Sequence, residues 1–561
     1  MLILARFCLA SFLRRAYHGD MPEPKNPYVE KREDGTLVPT EEGERLLAKI
    51  VTDAAGPVYA FTGEASPLFA AAAMARLSRR GNDLRLIFLD EFAAEGAEGA
   101  EGLIDRVVTG YGDDSVQQLI TVATVVEDAS NLLTKKIERS RLASYLEQST
   151  RYIYYDKKDA AGRYKYYEPS QLPAELGVAY REAMDYIFER YSTVVRGTTE
   201  FVQKKNPAPV SGDKAELIAW RGATRAQACD AARPMLPAAT KSTVGIVCSA
   251  QAMEGMVRRL LADPLAESNE TGRRLLRESR KVIGAFLKRA DLPDRGLAWI
   301  LYLKETKQAL RSLAEQYLPG DSGDFSKTVQ LLDYWPKDEL DLIPGMLVEN
   351  SEYSEAEVRA AVAGWPAERK EETLRAYMGH RMNRRHKPGR ALEEAHYKWE
   401  IVADYGTFRD LQRHRIVDAW DWQNLTPKYG YDVPELITEA GFEAEFREGF
   451  AMAESLWKRL MDAGFREESQ YATLFGHKLR YRFLINAREA FHLLELRTSP
   501  QGHPGYRKIC QDMHRQLSAV HPRLGAAMQF VNQGGDPPLT RLEAERATQL
   551  KLKLLEGQTD A

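Results

Sequence analysis

Arg139-Ser140-Arg141-Leu142-Ala143-Ser144-Tyr145-Leu146-Glu147-Gln148-Ser149-Thr150-Arg151-Tyr152 gathers three guanidiniums, one carboxylate and several hydroxyls in a short stretch. Arg139 and Arg141 are separated by one residue, so a regular helix cannot turn both to one face. They splay toward different partners, as where a helix ends at a ligand. Arginine forks match phosphate oxygens. With Ser149 and Arg151 close by, the stretch suits a nucleotide monophosphate, and Glu147 can accept from a ribose hydroxyl or a ring N–H. A lone Arg-x-Arg would read as a solvated basic helix face; the whole string in its setting does not.

The setting is a strand, a capped helix and then the string. Ile120, Val122, Thr124 and Val126 alternate with Thr121, Ala123 and Val125. This predicts a strand apolar enough to be buried on both faces. Asp128 or Ser130 can cap the next helix. After the string, Tyr180, Met184, Ile187, Phe188, Tyr191 and Val195 mark one face of a long helix. The same order returns later. Tyr397, Trp399, Ile401 and Ala403 alternate as a strand, a short helix delivers Gln412-Arg413-His414-Arg415, and Phe442, Phe446, Phe450, Leu456 and Leu460 stripe another helix. Twin triplets in twin settings indicate an internal duplication.

Bulk properties agree with a soluble globular protein of at least two domains. The chain has 561 residues, 28% of them charged, and a net charge of -3, which disfavours a general nucleic-acid binder. No stretch after the N-terminus is long and apolar enough to span a membrane. Cys8, Cys229, Cys248 and Cys510 lack CxxC or metal-ligand spacing, so neither a disulfide frame nor a metal site is expected, as suits a cytoplasmic location. Met1 to His18 is apolar and basic without a cleavage site; it reads as a weak targeting segment or as an early start, with Met21 the true beginning. Glu95 to Gly102 (EGAEGAEG) is expected to be a surface loop. The expected division is an N-terminal extension (1–44), repeat one (45–318), a linker at 319–324 (Pro319-Gly320-Asp321-Ser322-Gly323-Asp324), repeat two (325–555) and a tail (556–561).

The string resembles the signature of the flavin-dependent thymidylate synthases, which pairs an Arg-His-Arg triplet with a later Ser-x-Arg-Tyr. Gly112-Asp113-Asp114-Ser115-Val116 resembles that family's upstream segment. Ala232-Arg233-Pro234-Met235-Leu236-Pro237 resembles its Ala-Arg-x-x-Leu-Pro segment. Asn486-Ala487-Arg488-Glu489-Ala490-Phe491-His492-Leu493-Leu494-Glu495-Leu496-Arg497 resembles its Asn-x-Arg and Phe-Leu-x-Leu-Arg segments. The halves are complementary. Repeat one keeps the nucleotide motif but has Leu261 where the activating arginine belongs; repeat two keeps Arg497 but lacks Ser-x-Arg-Tyr. Ser140, Leu146, Asp113 and Lys136 depart from the family pattern on the flavin side.

The resemblance implies an α+β fold of two tandem domains, each a twisted antiparallel sheet packed with long helices, with two chains forming a homodimer equivalent to the family's tetramer. It implies reductive methylation of dUMP at C5 to dTMP, with methylenetetrahydrofolate as carbon donor, FAD as hydride carrier and NADPH as reductant. One composite site would serve each pair of repeats. Arg497 would be catalytic, stabilising charge on the uracil ring. Glu147, Gln148, Ser149, Thr150, Arg151 and Arg233 would bind the nucleotide. Ser115, Arg139, Ser140, Arg141, Glu147, Asn486, Ala487, Arg488 and His492 would hold FAD. No cysteine lies near the motif, so no thiol nucleophile is expected. On this model Arg413→Ala matters far less than Arg497→Ala; His386, Glu393 and His414 are reserve residues that could serve the second site, with a structural or surface role the preferred reading. Two alternatives stay open: the same fold acting on another pyrimidine nucleotide, and an inactive flavin- or nucleotide-binding protein.

Overall fold

The structure is a computed structural model that describes residues 26–77, 80–93, 96–110, 112–210, 214–318, 327–535, 539 and 541–559. The segment Met1 to His18 and the linker at 319–324 lie outside the described residues. The chain forms two compact units. One holds the described residues of Met1–Val122 with Cys248–Arg258 and Arg274–Trp299; the other holds Ala123–Val247, Arg259–Arg273 and Ile300–Ala561.

In the first unit, Val29–Lys31 and Leu37–Pro39 pair as an antiparallel hairpin inside the expected N-terminal extension. The stretch Glu95 to Gly102 was expected to be a loop; instead a helix spans Gly96–Ile104. Its alanines and glutamates are strong helix formers, and Ala100, Leu103 and Ile104 are buried, which outweighs the cost of its glycines. Asp114 and Glu254 both pair with the buried Arg289.

Most of the repeated elements lie in the second unit; Cys248–Arg258, which includes most of the helix Ala250–Ala262, lies in the first. We label β1 (Thr121–Ser130), α1 (Asn131–Ile137), β2 (Ala143–Glu147), α2 (Ala174–Lys205), α3 (Lys214–Ala232), β3 (Lys241–Ser249), α4 (Ala250–Ala262) and α5 (Ala298–Tyr317). Then follow β4 (Val329–Trp335), β5 (His396–Asp404), α6 (Tyr405–Leu411), β6 (Ala419–Trp422), α7 (Glu443–Asp462), β7 (Lys478–Asn486) and α8 (Ala487–Arg497). The first sheet has the order β1-β3-β2. The second has the order β4-β5-β7-β6, the same topology with one strand added at its edge. The second sheet is antiparallel throughout. Among the described residues no helix is long and apolar enough to cross a membrane.

Local rules explain the elements. Ser130 caps α1 by accepting from Leu133 N, and Asp404 caps α6 by accepting from Thr407 N. The predicted helix stripes are buried: Tyr180, Met184, Ile187, Phe188, Tyr191 and Val195 on α2, and Phe446, Phe450, Leu456 and Leu460 on α7. Each such side chain contributes roughly 1.5–3 kcal/mol on burial. The two helices pack on each other. A Cβ on Gly197 of α2 would fall 1.9 Å from the Phe442 ring, so only glycine permits this approach. β1 departs from expectation. It is buried on one face only, with Val122 covered and Val125 exposed. As an edge strand of an antiparallel sheet it can leave one face to water.

The duplication is written in paired hydrogen bonds. Asn131 N donates to Thr240 O in repeat one, and Tyr405 N donates to His477 O in repeat two. Leu132 N to Ala238 O is matched by Gly406 N to Phe475 O. The repeats then bond each other reciprocally. Ala238 N donates to Thr473 O (2.7 Å) while Phe475 N donates to Leu236 O (2.8 Å). Ala239 N to Tyr471 O (3.2 Å) is mirrored by Gly476 N to Pro234 O (2.8 Å). Pro237 bridges Leu474, its own counterpart. This is the geometry of a self-complementary two-fold interface built inside one chain.

These registers also fix which residues correspond. β3 and β7 are both nine residues long and run directly into α4 and α8. Arg497 therefore corresponds to Leu260, one residue before the expected Leu261.

Candidate functional site

Four chain segments converge on one cavity. β2 runs into Gln148 to Tyr152, α3 ends at Arg233, α6 carries Arg409 and Asp410 and is followed by Arg413, and α8 ends at Arg497. All of these line a cavity of 160 Å³, with Tyr506. Thus the structure brings Gln148, Ser149, Thr150, Arg151 and Arg233 together with Arg497, as the sequence reading required.

Five arginines face a cavity with one carboxylate, Asp410, in its lining. Each guanidinium is anchored from behind and keeps donors for the cavity. Arg151 grips Asp230 with Nε and Nη2 at 2.7 and 2.6 Å. Arg233 donates through Nη1 to Asp410 at 3.1 Å, and its buried Nη2 has no partner among the described residues. Arg409 donates through Nη2 to Glu147 at 2.8 Å and leaves its buried Nε without one. A buried charged donor without an acceptor costs free energy, so these atoms mark the place of an anion. Burial pushes Asp230 and Asp410 upward, but Arg151 outweighs it at Asp230, and Arg233 with Arg151 outweighs it at Asp410. Both stay ionised, well below the usual carboxylate range.

Behind the cavity, Arg497 Nε donates to His414 Nε2 at 2.9 Å, and His414 Nδ1 meets Glu489 Oε1 at 2.7 Å. Arginine Nε is an obligate donor, so His414 Nε2 must be bare and Nδ1 must carry the proton. Burial, then Arg497, His492 and Lys387, hold the ring well below the usual histidine range and keep it neutral. Burial pushes Glu489 up to about 8, against Lys387, Arg488 and Arg497. Of the two readings of His414, structural or surface, the surface one does not hold: the residue is buried against Arg497. Arg413 too lines the cavity, within 3.6 Å of Glu147, so the second triplet is part of the site.

A second cavity, of 620 Å³, lies between the two triplets. Arg139, Ser140, Arg141, Arg259, His414, Arg415, Trp420 and Trp422 are among its lining residues. Arg141 Nη1 donates to Val417 O, and Arg415 Nη1 donates to Ala143 O. This exchange again relates the repeats by a two-fold. Arg139 lies over the Trp422 ring, 4.9 Å from its centroid. Buried Nε and Nη2 of Arg259, and Nε1 of Trp420, have no hydrogen-bond partner among the described residues.

Other expected site residues are elsewhere. Glu147 is buried beneath the first cavity. There burial pushes its carboxyl up, and Arg409, Lys135 and Arg413 outweigh it, holding it well below the usual range. Lys135 Nζ lies 2.9 Å from its Oε2. Asn486 caps α8 by accepting from Glu489 N, and Ala487 is in the core. Arg488 pairs with Glu393 at 3.2 Å. His492 is half-buried beside His414, with ring centroids 5.4 Å apart. Ser115 belongs to the first unit, where its hydroxyl donates to Asp113. The contacts of these residues within this chain are structural. His414, Glu489 and His492 place potential ligand atoms within 4.8 Å of one another. Both His414 nitrogens are already engaged, and burial with Lys387 and Arg384 pushes His492 down to about 4, a setting hostile to a divalent cation.

Sequence reading missed Arg409, Asp410, Arg259, Trp420, Trp422 and Tyr506. A signal existed for one: Arg409 stands one helical turn before Arg413, on the same side.

Together these features define a duplicated α+β protein with one cavity lined by five arginines beside a second, aromatic and arginine-lined cavity. The chain belongs to the family described as thymidylate synthase complementing protein, whose model matches residues 62–283 and again 330–523. The two matches on one chain are those of a tandem member. It is similar to a UPF0159 protein of Chlamydia muridarum (strain MoPn / Nigg), with 31% identity over 524 residues, 90% of this chain and 98% of that protein. A UPF0159 protein of Thermoplasma acidophilum is 30% identical over 499 residues, 84% and 97% of the two chains. Among solved structures, a UMP/dUMP methylase PolB from Streptomyces cacaoi bound with 5-Br dUMP matches 36% of this chain and 94% of its own, with 18% identity and a TM-score of 0.30.

Proposed function

We propose that this protein is a flavin-dependent thymidylate synthase-like enzyme that methylates dUMP, or a closely related pyrimidine nucleotide, at C5. The observation that carries this reading is the arginine cavity, where Arg151 and Arg233 of repeat one meet Arg497 of repeat two around unsatisfied donors. Ser149, Arg151 and Arg233 hold the 5′-phosphate, and the orphaned Nη2 of Arg233 supplies a charge-assisted bond. Arg497 projects its Nη atoms toward the pyrimidine and stabilises the negative charge that builds on the ring as C5 attacks. Arg413 and Arg409 raise the local positive potential and keep water from screening it.

The residues of the second cavity fit FAD. Arg139, Arg141, Arg259 and Arg415 offer donors to phosphates, and Trp420 and Trp422 offer aromatic surface. When bound there, FAD supplies hydride transfer from NADPH, with methylenetetrahydrofolate as the one-carbon donor. The protein's part is to bind and orient. We assign repeats to 45–318 and 325–555, one composite nucleotide site per chain, and a homodimer as the working assembly. Exposed Leu301, Tyr302, Leu310, Leu313 and Tyr317 on α5 give a second chain apolar surface to cover.

Purified protein should retain flavin and convert dUMP to dTMP with methylenetetrahydrofolate and NADPH. A colourless protein that neither binds dUMP nor forms dTMP would sink this reading.

A further inference from the structure

The chain Glu489–His414–Arg497 is the most ordered polar feature that the proposed chemistry leaves unexplained. His414 and Glu489 are 6% and 3% exposed, and the two ring nitrogens of the histidine are bonded to Glu489 and Arg497. The ring is held in a single tautomer, Nδ1–H toward Glu489 and Nε2 toward Arg497. Arg497 thereby spends its Nε on His414 and has only Nη1 and Nη2 left, in the plane fixed by the imidazole. His414 itself lines the second cavity, while the Arg497 it holds lines the first.

An internal comparison supports a shared role. By the registers above, His414 corresponds to Ser140, Glu489 to Ala252 and Arg497 to Leu260. All three are replaced together in repeat one, although Arg139 and Arg141 of the same triplet persist beside Ser140. A histidine retained only for packing would have no reason to disappear with the arginine it touches.

We propose that Glu489 and His414 are positioning residues that fix the Arg497 guanidinium in the plane from which it reaches the pyrimidine. The proposal rests on the reading of Arg497 given above. Glu489 orients the imidazole, the imidazole accepts from Nε, and the arginine is spared its usual rotamer freedom at the moment charge develops. The histidine exchanges no proton with substrate.

The test uses the full-length protein with dUMP, reading kcat, KM and the dUMP dissociation constant. His414→Ala should lower kcat by about 100-fold with KM changed by less than about threefold. His414→Gln, whose amide can both accept from Arg497 and donate to Glu489, should recover about tenfold of that loss. Arg497→Lys keeps the charge but lacks the Nε–H. Adding His414→Ala to it should cost less than about twofold more, because nothing remains for the histidine to hold. A His414→Ala enzyme within about twofold of wild type, or losses that multiply in the double variant, would overturn the proposal. Wild-type protein that neither binds nor converts dUMP overturns instead the function itself, and this inference with it.

Discussion

The arginine cavity and its counterpart across the internal two-fold share one backbone framework and differ in the side chains set on it. In both repeats a glutamine leaves the strand with the same bond: Gln148 N to Thr243 O, and Gln423 N to Arg480 O. Ser149 and Arg151 therefore correspond to Asn424 and Thr426. Arg233 corresponds to Gln470 and Arg497 to Leu260. The polar residues at and around these counterpart positions bond to neighbouring groups of the same repeat or to α5. Gln470 Oε1 accepts from Leu425 N at 3.2 Å, and Asn424 and α5's Arg311 both bond Glu467, at 3.4 and 2.5 Å. The first cavity keeps buried donors without a partner among the described residues on Arg233 and Arg409, and its counterpart has no arginine at the positions of Arg151, Arg233 and Arg497.

The largest expected effect tests that contrast at its catalytic member. Arg497→Ala should lower kcat/KM for dTMP formation by at least about 1,000-fold, the scale of losing a preorganised charge stabiliser. Leu260→Met, a volume-conserving change at the counterpart, should leave the rate within about twofold. Comparable losses from both would mean the second site still works. Next is Arg233→Gln, which writes the decayed residue into the live cavity. It should weaken dUMP binding by roughly 30-fold in calorimetry, the worth of a buried charged hydrogen bond, and leave deoxyuridine binding unchanged. Equal weakening of both ligands would remove Arg233 from the phosphate.

The sequence revealed the parts of this site whose residue types are unusual where they stand. Arginines flanking Ser140, the later Ser149 and Arg151, and the Arg497 that ends an apolar helix each carry chemistry that packing does not require. The duplication was visible too, because strand periodicity and two arginine triplets recur in the same order. What stayed hidden was whatever looks ordinary locally. Arg409 and Arg259 read as polar positions on amphipathic helices; only tertiary contacts show one buried beside Glu147 and the other with unpaired nitrogens. His414 reads as one more surface residue until Glu489 and Arg497 are seen on either side of it. The one-residue error over Leu261 arose because motif spacing carries no strand register. Reading the repetitive EGAEGAEG stretch as a loop misjudged Gly96–Ile104, where alanine, glutamate and buried Leu103 prevail.

The second cavity extends the comparison, because Arg259 sits immediately before Leu260. Repeat one has leucine at the position of Arg497 and holds a guanidinium one residue earlier, in the lining of the second cavity. Arg259→Leu should weaken FAD binding by about tenfold and riboflavin binding by less than about twofold, followed by flavin fluorescence. An equal effect on both would place Arg259 against the ring system and away from the phosphates.

The smallest effect concerns stability and pH, and it too separates the repeats, since Ala252 stands where repeat two has Glu489. Burial pushes Glu489 to about 8, while an unfolded glutamate titrates near its ordinary 4.5. Between those values the folded protein holds a proton that the unfolded chain releases. Stability must therefore fall as pH rises through this window, by up to about 1.4 kcal/mol per pH unit from this one group. Lys387, Arg488 and Arg497 favour the charged form and Asp418 opposes it, so the slope measures their balance against burial. Glu489→Gln cannot ionise. Denaturant unfolding between pH 5 and 8 should show the variant losing less stability than wild type over the interval, and the gap between the two slopes should close below about pH 4.5, where both forms are neutral. Parallel curves across the range would mean that the carboxylate is ionised throughout, with His414 and its cationic neighbours outweighing burial.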